Sequence, residues 1–153
     1  MDSLFDLVSR EITVLMIAML PAVELRGAVP VGVALGMPLI EAFILSYVGS
    51  LLPALPLIYL IRPIVTWAKG STRWRRFGSW LERRSLRKAR RVRNYQAIGL
   101  FLFVAIPIPG TGVWTGSMIA GLLGFPVRTA LKAIAAGNLV AGLIVTFLTH
   151  QLG

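Results

Sequence analysis

Apolar residues run along this chain in four blocks, each bounded or broken by proline or glycine. The first covers about 4–20 and stops at Pro21. The second, about 27–60, is too long for one crossing of a bilayer and is cut at Gly36-Met37-Pro38. The third, about 97–123, breaks at Pro107-Ile108-Pro109-Gly110-Thr111-Gly112. The fourth, 127–148, is continuous and long enough to span a hydrocarbon core of about 30 Å. Within lipid only helices and closed barrels satisfy their own backbone groups. The lengths of these blocks therefore predict an all-α integral membrane protein. Two helices, about 39–61 and 127–148, are expected to cross. The segments 4–36 and 97–124 have halves that are short for a full span, which predicts re-entrant helical hairpins. Ordinary spans kinked at proline are the alternative reading.

The blocks repeat with an offset of 88 residues. Gly36-Met37-Pro38 matches Gly124-Phe125-Pro126, Ala42 matches Ala130, Gly49 matches Gly137, Ser50 matches Asn138, and Pro21 falls on Pro109. Each half reads as a broken apolar segment, a Gly-x-Pro corner and a longer helix. The expected units are 1–66 and 96–153, joined by 67–95.

Charge gives these units a direction. Eleven of the sixteen Lys/Arg residues lie between Lys69 and Arg93, against a single acid, Glu82. Basic loops are retained on the cytoplasmic side of a membrane. With 69–93 inside, the first crossing helix runs inward and the second runs outward. The two units are then inverted, an arrangement that puts a transporter's site near the bilayer midplane. Trp74, Phe77 and Leu81 recur at helical spacing within the basic stretch, with Trp80 beside them. That spacing predicts an amphipathic helix on an anionic leaflet; a solvated loop is the simpler possibility.

Composition agrees with the class. The chain has 153 residues, 56% hydrophobic and only 14% charged, where soluble domains carry about 25% charged residues. The net charge of +10 is confined to one stretch, which argues against a nucleic-acid-binding face. There is no cysteine and one histidine, His150, so neither a metal centre nor a bound cofactor is expected. No nucleophile–base pair is visible, and enzymatic activity is not expected. Asp2, Asp6 and Glu11 stand where a cleavable signal peptide would carry basic residues.

Candidate chemistry is concentrated at the two breaks. Glu24 and Arg26 lie in Pro21-Ala-Val-Glu-Leu-Arg-Gly27-Ala-Val-Pro30, with apolar sequence on both sides. Ionisable groups at membrane depth are costly and ordinarily face a cavity or a partner. Two positions apart, they do not share a helical face. An extended tip built by Pro21, Gly27 and Pro30 would let them turn toward different partners. Glu24 is the expected proton-exchanging group, and the planar fork of Arg26 suits a phosphate or carboxylate. An ion pair that merely holds the tip is the plainer alternative. The second break, Pro107 to Thr115, carries Pro109, Gly110, Thr111, Gly112, Trp114 and Thr115. A half-helix starting near Gly112 would aim its positive end at the midplane and could hold an anionic group. Asn138, Ser46 and Ser50 are expected to hydrogen-bond between helices or to line a cavity. Gly49, Gly121, Gly137 and Gly142 permit close helix packing, and with it a homodimer.

The two motifs, Leu20-Pro-Ala-Val-Glu24-Leu-Arg26-Gly27-Ala28-Val-Pro30-Val-Gly32 and Ala105-Ile-Pro107-Ile-Pro-Gly110-Thr-Gly112-Val-Trp114-Thr-Gly116, resemble those of the small multidrug export protein family. That family is similar to the wider DedA/VTT superfamily of membrane proteins. The resemblance covers nearly the whole chain. It implies two inverted units, each a re-entrant hairpin plus transmembrane helix. It also implies proton-linked transport or lipid translocation, with acidic and arginine residues at the hairpins important; Glu24 and Arg26 match directly. The second tip here lacks the arginine that DedA proteins carry in that half. The function expected is thus a small transporter or lipid flippase of the inner (cytoplasmic) membrane, multi-pass, with the basic loop cytoplasmic. Its cargo would be an anionic lipid head group, such as a polyprenyl phosphate or phospholipid, or a small amphipathic compound, with protons as coupling ion. A non-transporting structural or lipid-organising protein is the alternative.

Overall fold

The structure, a computed structural model, describes residues 2–70 and 93–152. The described residues are all-helical. In chain order the helices are α1 (Asp2–Met19), α2 (Glu24–Ala34), α3 (Leu39–Leu51), α4 (Ala54–Lys69), α5 (Arg93–Ala105), α6 (Val113–Leu122) and α7 (Val127–Leu152). The expected amphipathic helix around 74–81 lies outside the described residues. The ends of the 67–95 segment belong instead to the last turn of α4 and the first turn of α5.

Among the described residues, two stretches are long and apolar enough to cross a membrane. One is Leu39–Ile61, 23 residues, formed by α3 and the first half of α4. The other is α7, 26 residues, which extends a turn beyond its expected end at 148. The break between α3 and α4 falls at Leu52-Pro53. Proline offers no N–H to the helix ladder, which interrupts the helix there. The break had no counterpart in the sequence reading, which took 39–61 as one rod. Helices α2 and α6, at about 1.5 Å per residue, are too short to span.

The Gly-x-Pro corners form as the repeat suggests. At the first, Gly36 takes φ +82° and Met37 N–H donates back to the Gly32 carbonyl at 3.0 Å. At the second, Gly124 takes φ +69° and Phe125 N–H donates to the Ala120 carbonyl at 2.9 Å. Left-handed glycine with this backward bond is the Schellman stop, and the proline that follows starts the next helix without needing an N–H. Met37 and Phe125 are both buried beneath their corners.

Packing also matches at positions 88 apart. α3 lies on α1 at Gly49, where a Cβ would stand 2.8 Å from the Leu15 carbonyl. α7 lies on α5 at Gly137, where a Cβ would stand 2.6 Å from the Phe101 carbonyl. Only glycine lets the backbones come this close. α3 and α7 meet through Tyr47 Oη, which donates to the Ala135 carbonyl at 3.1 Å. Asn138 Nδ2 donates to Ser50 Oγ at 2.8 Å.

Polarity is distributed opposite to that of a soluble protein. Ile40, Ile44, Val48, Leu52, Leu55 and Tyr59 form an exposed apolar stripe along α3 and α4. Glu24, Ser46, Ser50, Ser117 and Asn138 are buried. A soluble fold would leave such a stripe to aggregate; a lipid environment solvates it.

Candidate functional site

The site begins with a backbone turn. α1 ends at Met19, and Pro21 prevents its continuation by withholding an N–H. Glu24 N–H donates to the Leu20 carbonyl at 3.0 Å, and α2 starts at once. The extended tip expected over Pro21–Pro30 is therefore confined to about four residues. Gly27 and Pro30 lie inside α2, with Pro30 on an exposed face.

Glu24 itself adopts φ +49°. Left-handed backbone costs a residue bearing a Cβ roughly 1–2 kcal/mol. That twist turns the two side chains together despite their spacing. Arg26 Nη1 donates to Glu24 Oε2 at 2.7 Å, so the pair points inward as one unit rather than at separate partners. The helical-face argument fails here because Glu24 does not have helical φ.

The pair ties both ends of the second break. Glu24 Oε2 receives the Val113 N–H at 3.2 Å, and Oε1 receives the Trp114 N–H at 3.0 Å. These are unpaired donors at the start of α6, where the helix dipole favours negative charge. Arg26 Nη2 faces the carbonyls of Val104 (3.1 Å), Ile106 (3.3 Å) and Thr111 (3.3 Å). It therefore sits at the end of α5, where unpaired carbonyls favour a cation. Each charge meets the helix end of opposite sign.

Gly112 makes this possible. A Cβ at that position would overlap the Glu24 carboxylate. The rest of the second tip closes on itself through Thr111. Its Oγ1 donates to the carbonyl of Ile106 or Ile108, 2.7 and 2.8 Å away. Oγ1 also lies 3.4 Å from Arg26 Nη2. Gly110 supplies φ +87° at the exposed turn. Pro107 is half-buried beside it and Pro109 exposed. Trp114 Nε1 donates to the Met19 carbonyl at 3.0 Å, and Thr115 is half-buried on the same turn.

The half-helix start expected near Gly112 is present, and the anion on it belongs to the chain itself. The amides expected to receive a head group hold Glu24. Asn138 stands apart from this cluster, in the α3–α7 contact. The sequence reading missed the Val104, Ile106 and Met19 carbonyls. Backbone acceptors leave no mark in side-chain chemistry; the only available signal was that the helices ending there run into Pro107 and Pro21.

A profile for the family described as "Putative small multi-drug export protein" matches residues 24–144. The chain belongs to that family. The match begins at Glu24, just past the first tip, and takes in the second tip, both corners and most of α7, so the ion pair and its acceptors all fall within the family region. No curated protein and no solved structure matches the chain. Family and apolar helices together make this a membrane protein of the small multidrug export type.

Proposed function

We propose that this export-family chain is a multi-pass transporter of the inner membrane that carries an anionic amphiphile together with a proton. In this reading the α1–α2 and α5–α6 pairs are re-entrant hairpins entering from opposite faces. The α3–α4 and α7 helices cross, and the basic segment 69–93 is cytoplasmic. The matched corners and matched glycine contacts at an offset of 88 residues support two related units. The basic segment between them supports their inversion.

The observation that carries the proposal is a buried carboxylate held on the start of α6 by two amides and an arginine. Those three donors are what a phosphate or carboxylate head group would use. Glu24 acts as an internal ligand while ionised. Protonation removes its charge and weakens its hold on the amides, and the donors pass to the cargo. The charge count stays balanced in both states: Glu24⁻ with Arg26⁺, or cargo anion with Arg26⁺ beside a neutral Glu24. Balance is required, because an unpaired charge in this environment is strongly unfavourable. The cargo class extends to polyprenyl phosphates, phospholipids and small amphipathic acids. The likeness to the DedA/VTT superfamily belongs to the same proposal, as does assembly as a homodimer.

Purified protein in liposomes carrying a fluorescent anionic phospholipid tests this. Wild type should move the lipid between leaflets at a rate set by an imposed pH gradient, and Glu24→Gln should remove the pH dependence while the protein stays monodisperse. Unchanged pH-dependent flux in Glu24→Gln rejects the proton role. Absence of any flux for anionic lipid or amphipathic acid favours the lipid-organising alternative.

A further inference from the structure

A groove runs between α5 and α6. Leu100 and Phe103 line one wall, and Ile119 and Leu123 the other. It encloses about 360 Å³. Gly99 opens it, since no atom lies within 4 Å of where its Cβ would stand. Glycine weakens a helix interior. Gly116, Gly121 and Gly137 answer that weakness by pressing against a neighbouring helix. Gly99 presses against nothing in the chain.

The first hairpin is built differently at the corresponding positions. Glu11 stands where the second hairpin has Gly99, and Arg10 where it has Ile98. Arg10 Nη1 reaches across to the Leu35 carbonyl at 3.2 Å, and Leu35 is the counterpart of Leu123. The open groove thus goes with a local change of sequence in the second hairpin.

The two walls end together at the base of that hairpin. Tyr95 and Gln96, at the start of α5, line the groove there, as does Phe125 at the corner after α6. α7 begins just beyond, and its first two turns carry Arg128 and Lys132. Both are exposed, and four residues apart they share one helical face.

Water does not fill an apolar cavity, and an empty one forfeits dispersion contacts. A hydrocarbon chain matches the length: Tyr95 to Phe103 rises about 12 Å along the helix, against about 15 Å of hydrocarbon in one leaflet. The cations beside the mouth favour a negative head group. A second copy of the chain would bring the same cations toward one another in a two-fold contact. We infer that the α5–α6 groove binds one acyl chain of an anionic phospholipid, with its head group at Arg128 and Lys132. This lipid is resident and separate from the Glu24 site, and the inference needs a bilayer but not transport.

The test uses full-length protein in phosphatidylcholine vesicles containing a phosphatidylglycerol with a photoreactive diazirine midway along one acyl chain. Crosslinked peptides are mapped by mass spectrometry. Labelling should concentrate at Leu100, Phe103, Ile119 and Leu123. A phosphatidylcholine with the same diazirine chain should label these residues less. Arg128→Gln and Lys132→Gln should each lower the preference for phosphatidylglycerol about fivefold, the share one cation near the surface supplies. Gly99→Leu fills the groove from an open position and should abolish labelling there while leaving other labelled residues unchanged. The wild-type map decides the matter if Gly99→Leu does not fold. Labelling spread equally over exposed residues such as Ile44, Val48 and Leu148 overturns the site, as does groove labelling that survives Gly99→Leu. No groove labelling, with a dimer that Gly99→Leu dissociates, makes the groove a contact between copies and overturns the lipid assignment.

Discussion

Gly112→Ala tests the heart of the site with a single methyl group. Gly112 has φ −88° and ψ −165°, extended backbone that alanine adopts freely, so no backbone strain enters. The added Cβ would overlap the Glu24 carboxylate. Oε2 receives both the Val113 N–H (3.2 Å) and Arg26 Nη1 (2.7 Å), so displacing it loses at least one charge-assisted hydrogen bond. Such bonds contribute about 1.5–3 kcal/mol each, and partial loss of a second brings the expected cost to about 2–4 kcal/mol. At roughly 2–4 °C per kcal/mol for a chain of this size, the thermal midpoint in detergent should fall by about 5–15 °C. The decisive measurement is the cycle with Glu24→Ala. With the carboxylate gone, the methyl has room, and Gly112→Ala should then cost almost nothing. If the two substitutions instead add to within about 0.5 kcal/mol, the carboxylate does not sit against Gly112 and the site as described is wrong.

Other positions make separate predictions. Gly137→Ala, whose Cβ meets the Phe101 carbonyl and Ala105 nitrogen, should destabilise by more than 2 kcal/mol because overpacked backbone cannot yield. Gly99→Ala, with open space around it on α5, should raise the midpoint slightly, in line with about 1 kcal/mol of helix propensity; thermal scans of the two variants side by side check both. Ser50→Ala should cost about 0.6–1.7 kcal/mol, the range for hydrogen bonds between membrane helices, read by unfolding in mixed micelles. Gly124→Ala should destabilise by roughly 1–2 kcal/mol through its left-handed φ, although nothing crowds its Cβ position. Equal midpoints for Gly124→Ala and Gly99→Ala would refute that assignment.

Much of this architecture was legible in the order of residues. Apolar runs of span length with almost no charge fix the solvent, since few sequences this apolar can be covered in water. Gly-x-Pro marks a corner because glycine alone takes left-handed φ cheaply and proline cannot extend the helix before it. Glu24 and Arg26 stood out because their surroundings offer nothing polar nearby in sequence. What they do was hidden. Their acceptors and donors lie about 78–90 residues away and are mostly backbone atoms, which side-chain identity does not reveal. The mutual approach of Glu24 and Arg26 depends on one dihedral, φ +49° at Glu24, and an ordinary helical value would have sent them apart. The α3–α4 break at Pro53 was likewise concealed, because a membrane helix absorbs a proline when its neighbours supply the packing.

By itself, then, the sequence determined the solvent, the helical class, the corners and the identity of the buried charges, all of which follow from local preference and transfer free energy. Only the tertiary structure decided which helix ends those charges neutralise and why position 112 carries no side chain. Those are consequences of two distant breaks being brought together, and the energy that settles them is electrostatic, acting across space between parts of the chain that sequence proximity does not relate.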